Sequence, residues 1–297
     1  MDIYHLLRGL VFKRGVTMTD IKNIVLEETI MQLKQGLGDK MDSITVVRAV
    51  FGLFFSGVKL STGHGGLCFT PVKDMPAAVC CPSSAKAMPL SGKLKGRAIS
   101  EYIKDVRSDN PLKKTLGIAA LNALSTYYWE LYPPKEYEIL MGEDAFDQVD
   151  VHQYKKAVVI GALVPMLKKL KKADIDYTVL EMDSRTLKGE ELEHFAPAKD
   201  APLYIKDADL LVITGVTILN NTLPDLLQLA KPEAHVVVTG PTASMLPDAF
   251  FKRGVTLLGG IVVTKPDELL DLISEGGSGY HFFGKLAERT IVKRVIR

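Results

Sequence analysis

Residues 209–223 read DLLVITGVTILNNTL. The apolar run 210–213 has the length of a buried strand, Gly215 ends it, and the polar residues beyond lead to a helix start at Thr222. A strand that feeds a polar loop and then a helix is the repeating unit of a parallel sheet covered on both faces. This unit therefore decides the fold class.

The same texture extends in both directions from residue 154 onward. Strands are expected over 157–160, 177–180, 208–213, 234–238 and 255–258, with helices over 165–172, 222–230, 247–253 and 266–274. The succession is Rossmann-like α/β. Right-handed crossovers bring the loops after the strands to one edge of the sheet, where open α/β proteins bind ligands. Loops 161–165, 214–222 and 240–247 converge there. Beyond Gly276 and Gly277, the stretch TIVKRVI alternates well enough for a last strand, and packing on the first half of the chain is the alternative.

The loops supply binding groups rather than reactive ones. The turn after the first of these strands, GALVP, has the single glycine Gly161 where a dinucleotide or S-adenosylmethionine fingerprint has two or three, so neither cofactor is expected. Glu181 and Asp183 stand at the end of the second strand, where a ribose-binding carboxylate or a solvated strand end are equal readings. Thr214, Gly215, Thr217, Asn220, Asn221 and Thr222 offer hydroxyls, amides and a helix N-terminus that attracts anions. Gly240, Pro241, Thr242 and Ser244 form a similar wall. Helix capping is the plain alternative for both sets, and two such loops on adjacent strands favour a binding crevice. Neither loop holds an acid, a base or a nucleophile.

The first half reads differently. Ile3, Leu6, Leu7 and Leu10 share a face of an opening amphipathic helix, and a capping box over 17–20 starts a second that runs to Gly36. Residues 43–60 are β-branched and aromatic, broken near Gly52 and Gly57. They predict an antiparallel pair completed by 67–72. The glycine-rich connection 61–66 is a hairpin turn or a ligand-facing loop carrying Thr62 and His64. Residues 71–89 read as an irregular connection, and Ser91 as the cap of a helix to about 104. Asn110 and Pro111 open another helix, apolar all round over 116–124. It carries Asn122 into its buried stretch as a structural bridge or a site residue. Tyr127, Tyr128, Trp129 and Tyr132 at its end are packing residues. The charged segment 135–154 is a loop-like linker, Asp144, Asp147 and Asp150 lacking the glycine and glutamate of a calcium loop. The expected division is a smaller α+β domain over 1–150 and a Rossmann-like α/β domain over 151–297.

Composition bounds the function. Of 297 residues 47% are hydrophobic and 24% charged, which is globular rather than disordered. The formal net charge of +2, from 37 basic and 35 acidic residues, gives no general attraction to nucleic acid or a membrane surface. Cys68, Cys80 and Cys81 form no disulfide framework, so a reducing cytoplasm is expected. Neither a serine elbow, HExxH, a Walker loop nor paired CxxC motifs occur. Lys59, His64, Glu181 and Asp183 are the titratable candidates. His64 with the three cysteines has the donor types for a soft metal, but the spacing matches no familiar site.

At TGVTILNNTL and TGPTASMLP, with ADLLVITG and LLGGIVVTKPDELL beside them, the chain resembles a prokaryotic family of unknown function that carries the label "putative heavy-metal chelation". The resemblance spans most of the chain. It implies an enolase N-terminal-like first domain, a Rossmann-like second domain and a site in the crevice between them. Thr214, Asn220, Thr222, Gly240 and Pro241 are the residues it carries over most directly, with Thr62, His64 and Asn122 from the first domain. It further implies a role near metal chelation or the synthesis of pterin-, flavin- or siderophore-like molecules.

The expectation is a cytoplasmic small-metabolite-binding protein with an interdomain site and a small anionic or heteroaromatic ligand. Condensation or hydrolysis is the chemistry that fits if the site turns its ligand over. The alternative is a non-enzymatic carrier of a metal or metal chelate, and a descendant of S-adenosylmethionine-type methyltransferases is a third reading. Cofactor identity stays open, as does homo-oligomerisation.

Overall fold

A computed structural model describes residues 23–74 and 90–295. The opening helix, the capping box at 17–20 and the cysteines at 80 and 81 lie outside the described residues. Helix α1 (Ile24–Leu37) begins at Asn23, whose side chain accepts from Leu26 N–H and so satisfies one of the unpaired donors of the first turn.

Three antiparallel strands follow, β1 (Val46–Phe51), β2 (Phe55–Leu60) and β3 (Gly65–Phe69), in the order β1-β2-β3. Gly52 sits in the turn between β1 and β2, where an added Cβ would lie 2.3 Å from the Ile273 carbonyl oxygen. Residues 91–96, expected to be helical, instead turn through Gly92 and Gly96 at φ of 78° and 83°. An α-helix cannot continue through such dihedrals. Helix α2 therefore starts later, at Ile99–Asp105.

Helix α3 (Pro111–Leu131) is the long element on which the small sheet rests. Asn110 caps it by accepting from Leu112 and Lys113 N–H, and Pro111 takes the first-turn position that needs no donor. From Leu112 to Ser125 nearly every side chain is buried, because β2 and β3 cover one side and loops of the second sheet the other. Each buried leucine or isoleucine here contributes roughly 1.5–3 kcal/mol.

The second sheet has eight strands in the order β4-β11-β10-β9-β8-β5-β6-β7. They are β4 (Tyr137–Met141), β5 (Lys156–Ile160), β6 (Asp176–Glu181), β7 (Phe195–Pro197), β8 (Leu210–Thr214), β9 (His235–Thr239), β10 (Leu257–Val263) and β11 (Ala287–Arg294). From β7 through β10 the pairs are parallel, while β11 and β4 are antiparallel additions. The expected mostly parallel α/β sheet is present, and the tail is its strand β11.

Strand β4 lies within the segment expected to be a loop-like linker. Its charged flanks, Lys135 and Glu136 before it and Glu143 and Asp144 after it, hid it, and its one charged residue, Glu138, reaches Lys293 on β11 at 3.2 Å. Helices α4 (Val164–Lys172), α5 (Ala201–Ile205), α6 (Val216–Leu219), α7 (Leu223–Leu229), α8 (Asp248–Phe251), α9 (Pro266–Ser274) and α10 (Gly279–Phe282) complete the chain. No helix among the described residues is long and apolar enough to cross a membrane.

The two sheets are held together by polar contacts as well as by α3. Glu28 on α1 receives Arg253 and Lys252 from the end of α8 at 2.9 Å and 3.2 Å, and Gln32 donates to Asp248 at 2.7 Å. Tyr137 donates to the other oxygen of Asp248. The N-cap Asn23 donates to the Ile218 carbonyl oxygen of α6.

Candidate functional site

The chain runs from β5 outward to β7 on one side, then returns to lay down β8 on the other. The direction of build-up reverses between β5 and β8, and the loops leaving those two strands diverge and open a crevice at their carboxyl ends. Gly161 and Thr214 meet there. Gly161 holds φ at 93°, and an added Cβ would stand 2.8 Å from Thr214 Cγ2.

The crevice has a volume of about 610 Å³. Its floor is the end of the large sheet, with Thr214, Gly215, Val216, Thr239, Gly240, Pro241, Thr242, Gly259 and Gly260 along it. Leu163 and Pro165 form one side, and Phe55 and Phe69 reach in from the three-stranded sheet. The remaining rim comes from residues 143–146, from Ser278, Gly279, Tyr280 and Phe283, and from Arg289. The walls are thus aromatic and aliphatic with a few polar groups, as small-ligand sites generally are.

Glycines set the floor's shape. Gly240 adopts φ of 126°, which turns the chain from β9 into a single turn of 3-10 helix, Pro241–Ala243. That turn is fastened to the first half of the molecule. Asn122 Nδ2 donates to the carbonyl oxygens of Leu67, Pro241 and Thr242, and Thr242 Oγ1 accepts from Phe69 N–H at 3.0 Å.

Of the residues expected from the sequence, Thr214, Gly215, Gly240, Pro241 and Thr242 come together on the crevice floor. The others sit elsewhere. Asn220 accepts from the backbone and hydroxyl of Thr222, and Asn221, at φ of 65°, accepts from the buried Lys114 ammonium. These three residues shape the turn before α7 and tie it to α3, outside the crevice lining. Ser244 donates to the Pro241 carbonyl and accepts from Ile261 N–H, beneath the floor. Asn122 is a bridge, as described. Gly161 underlies the wall without entering the lining.

Glu181 accepts from Ala162 N–H and from its own neighbours Met182 and Asp183, closing the turn after β5. Asp183 pairs with Arg185 and Lys73, which hold its carboxyl far below the usual carboxylate range. Lys59 pairs with Asp267. Thr62 and His64 lie in the hairpin turn at the far end of β3 from Phe69. His64 Nε2 is 2.7 Å from Glu130, its Nδ1 is 3.0 Å from Thr62 Oγ1, and its ring packs against Tyr127.

The sequence reading missed the charged and hydroxyl groups of the rim. Asp144 Oδ2 lies 3.2 Å from Arg289 Nε, and the Arg289 guanidinium stacks over Phe283 at 4.2 Å from the ring centre. Glu143 accepts from Gln148. Ser278 Oγ is 3.1 Å from His281 Nδ1, which also accepts from Ser278 N–H. The S-x-x-H spacing at 278–281, a capping-box pattern inside the tail, was the available signal.

A family model described as "Putative heavy-metal chelation" matches residues 144–292, and a second with the same description matches residues 34–125. The chain belongs to this family, DUF364. Proteins of unknown function from the family share its fold. One from Pyrococcus horikoshii aligns with a TM-score of 0.71 at 22% identity, covering 91% of this chain and all of that one. Another, from Desulfitobacterium hafniense, gives 0.65 at 18% identity over 90% of this chain and 99% of that one. An uncharacterized protein of Methanocaldococcus jannaschii is 29% identical over 195 residues, 65% of this chain and 71% of the relative.

The family's label raises direct metal binding, which the donors can be tested against. Among the described residues no three His, Cys, Asp or Glu side chains gather as a metal site. The Cys68 thiol is fully enclosed, and burial pushes it up to about 12, so it stays protonated and is a poor ligand. Both ring nitrogens of His64 are engaged. The described residues therefore do not fit a direct chelation centre.

Proposed function

We propose that the chain binds a small, flat, ring-bearing metabolite in the crevice at the carboxyl ends of β5, β8 and β9, against the middle of β10. The observation that carries this reading is the union of Phe55 and Phe69 from one sheet with the glycine-rich floor of the other. Aromatic side chains offer stacking faces, and glycines let a planar ligand approach the backbone closely. The family's label then refers to a ligand of chelating chemistry, a pterin-, flavin- or siderophore-like molecule, rather than to metal held by the chain's own side chains.

Calorimetry with a panel of pterins, flavin precursors and catechol-type chelators tests the reading. Wild-type protein is expected to bind at least one class, and Val216→Trp, which places an indole in the crevice, is expected to lose that binding while unfolding at a similar temperature. Binding that survives Val216→Trp, or no binding of any class, overturns it.

A specific contact favours turnover of the condensation or hydrolysis type. His281 Nδ1 accepts from Ser278 N–H at 3.0 Å and lies 3.1 Å from Ser278 Oγ, so the backbone and the hydroxyl share its one lone pair. Ser278 is on the crevice rim, so its hydroxyl stands beside the His281 ring at the edge of the space a ligand would fill. Ser278→Ala is expected to leave ligand affinity within a few-fold and to abolish hydrolysis of aryl esters by the wild-type protein. Wild-type protein without esterase activity, or equal activity in the variant, removes this part of the proposal.

A further inference from the structure

We infer that Arg289 is the group with which the crevice reads its ligand, and that the ligand carries a carboxylate beside its ring. This rests on the crevice reading above and specifies the chemistry of the molecule that occupies it.

Arg289 is the one cationic side chain among the described residues of the lining, and it is 40% exposed. Two contacts fix where its guanidinium lies. Nε lies 3.2 Å from Asp144 Oδ2, and the guanidinium carbon sits 4.2 Å from the centre of the Phe283 ring. Neither contact uses Nη1 or Nη2, and among the described residues nothing hydrogen-bonds to them. A guanidinium carries five N–H donors in a rigid plane, and the two terminal nitrogens form a fork that matches a carboxylate in two parallel hydrogen bonds. The fork is thus positioned by an ion pair and a ring contact before any ligand arrives, which lowers the entropy lost on binding.

The neighbouring charges narrow the class of anion. Asp144 balances the Arg289 charge, and Glu143 adds a second carboxylate to the same rim, so the charged lining sums to one negative. A dianionic phosphate entering there meets two carboxylates for one guanidinium. A monoanionic carboxylate costs less and uses the fork fully. The aromatic rings at Phe69 and Phe283 flank the same space, so the carboxylate is best placed on or next to a flat ring.

Naphthalene-2-carboxylate and naphthalene-2-carboxamide are the probes, titrated by calorimetry into the full chain at pH 7.5. The two have the same shape and differ in charge. The acid is expected to bind wild-type protein at least tenfold more tightly than the amide. Arg289→Gln is expected to erase that difference, and Arg289→Lys to restore only part of it, because an ammonium keeps the charge without the fork. Unfolding temperatures of both variants close to wild type establish that the loss is local. Acid and amide binding equally, with both lost in Val216→Trp, leaves the crevice reading standing and overturns the role of Arg289. Acid binding unchanged in Arg289→Gln does the same. Neither probe binding overturns the carboxylate reading, while the pterin, flavin-precursor and catechol panel decides the crevice reading separately.

Discussion

The side-chain amide of Asn122, within the buried stretch of α3, donates to the Thr242 carbonyl oxygen at 3.1 Å on a loop that is 120 residues away in the chain. The same amide nitrogen holds Leu67 and Pro241. One side chain therefore joins α3, the small sheet and the crevice floor. Buried carbonyls left without a donor each cost about 1–3 kcal/mol. Asn122→Leu, which keeps the volume and removes the donor, is expected to destabilise the fold by roughly 2–4 kcal/mol. Urea unfolding measures this directly, and a loss below about 0.5 kcal/mol, the scatter of ordinary surface substitutions, would show that the bridge is unimportant.

At the switch point, Gly161 is constrained twice. Its φ of 93° is unfavourable for any residue with a Cβ, and that Cβ would press on Thr214 Cγ2 at 2.8 Å. Gly161→Ala is expected to cost about 1–3 kcal/mol through backbone strain alone. Thr214→Ser in the same chain removes the methyl group but leaves the dihedral, so it should recover only the steric part. Thermal unfolding of the single and double variants separates the two contributions, and full recovery would refute the strain argument.

How far the sequence reached follows from what each residue type reports. The runs AVVI at 157–160, LLVIT at 210–214 and HVVVT at 235–239 are buried on both faces, so hydrophobicity alone located β5, β8 and β9, and crossover handedness placed their loops together. Strand β4 escaped because its five residues, YEILM, are too few for a clear alternation and stand between charged flanks. Asn220, Asn221 and Thr222 have the composition of a ligand loop and of a helix cap alike, and only the position of Lys114 separates those uses. Arg289 and Ser278 were invisible as rim residues because their strand and turn had no assigned neighbour. Pairing of β11 with β10 and β4 is a long-range fact that local patterning does not encode.

Glu28 supplies a pH-dependent part of the attachment between the two halves. Burial alone would raise its carboxyl, but the hydrogen bonds and charges of Arg253 and Lys252 outweigh burial and hold it below the ordinary 4.5. A depressed carboxyl contributes stability that is present above its unfolded value and is lost as pH falls through its folded one. Glu28→Gln is accordingly expected to cost roughly 1–3 kcal/mol at pH 7, with the difference from wild type shrinking once the pH drops below 4.5. Urea unfolding of both proteins across pH 3–7 checks the sign. A difference that grows toward acid pH contradicts it.

Cys68 tests the distinction between a metal-holding chain and one that holds a chelating ligand. Its thiol is enclosed among Thr242, Thr115 and Phe69, and burial pushes it up to about 12, so at pH 8 it presents almost no thiolate and no path to solvent. Native protein treated with iodoacetamide is expected to leave the residue-68 peptide unmodified by mass spectrometry, while unfolding in guanidinium exposes it to complete alkylation. The comparison that matters is with EDTA or added Zn²⁺. A thiolate ligand would become more reactive when its metal is stripped and less so when metal is restored. An enclosed thiol responds to neither, because its protection comes from packing. Alkylation of Cys68 that rises with EDTA in the folded protein would return this residue to the metal chemistry named in the family's label.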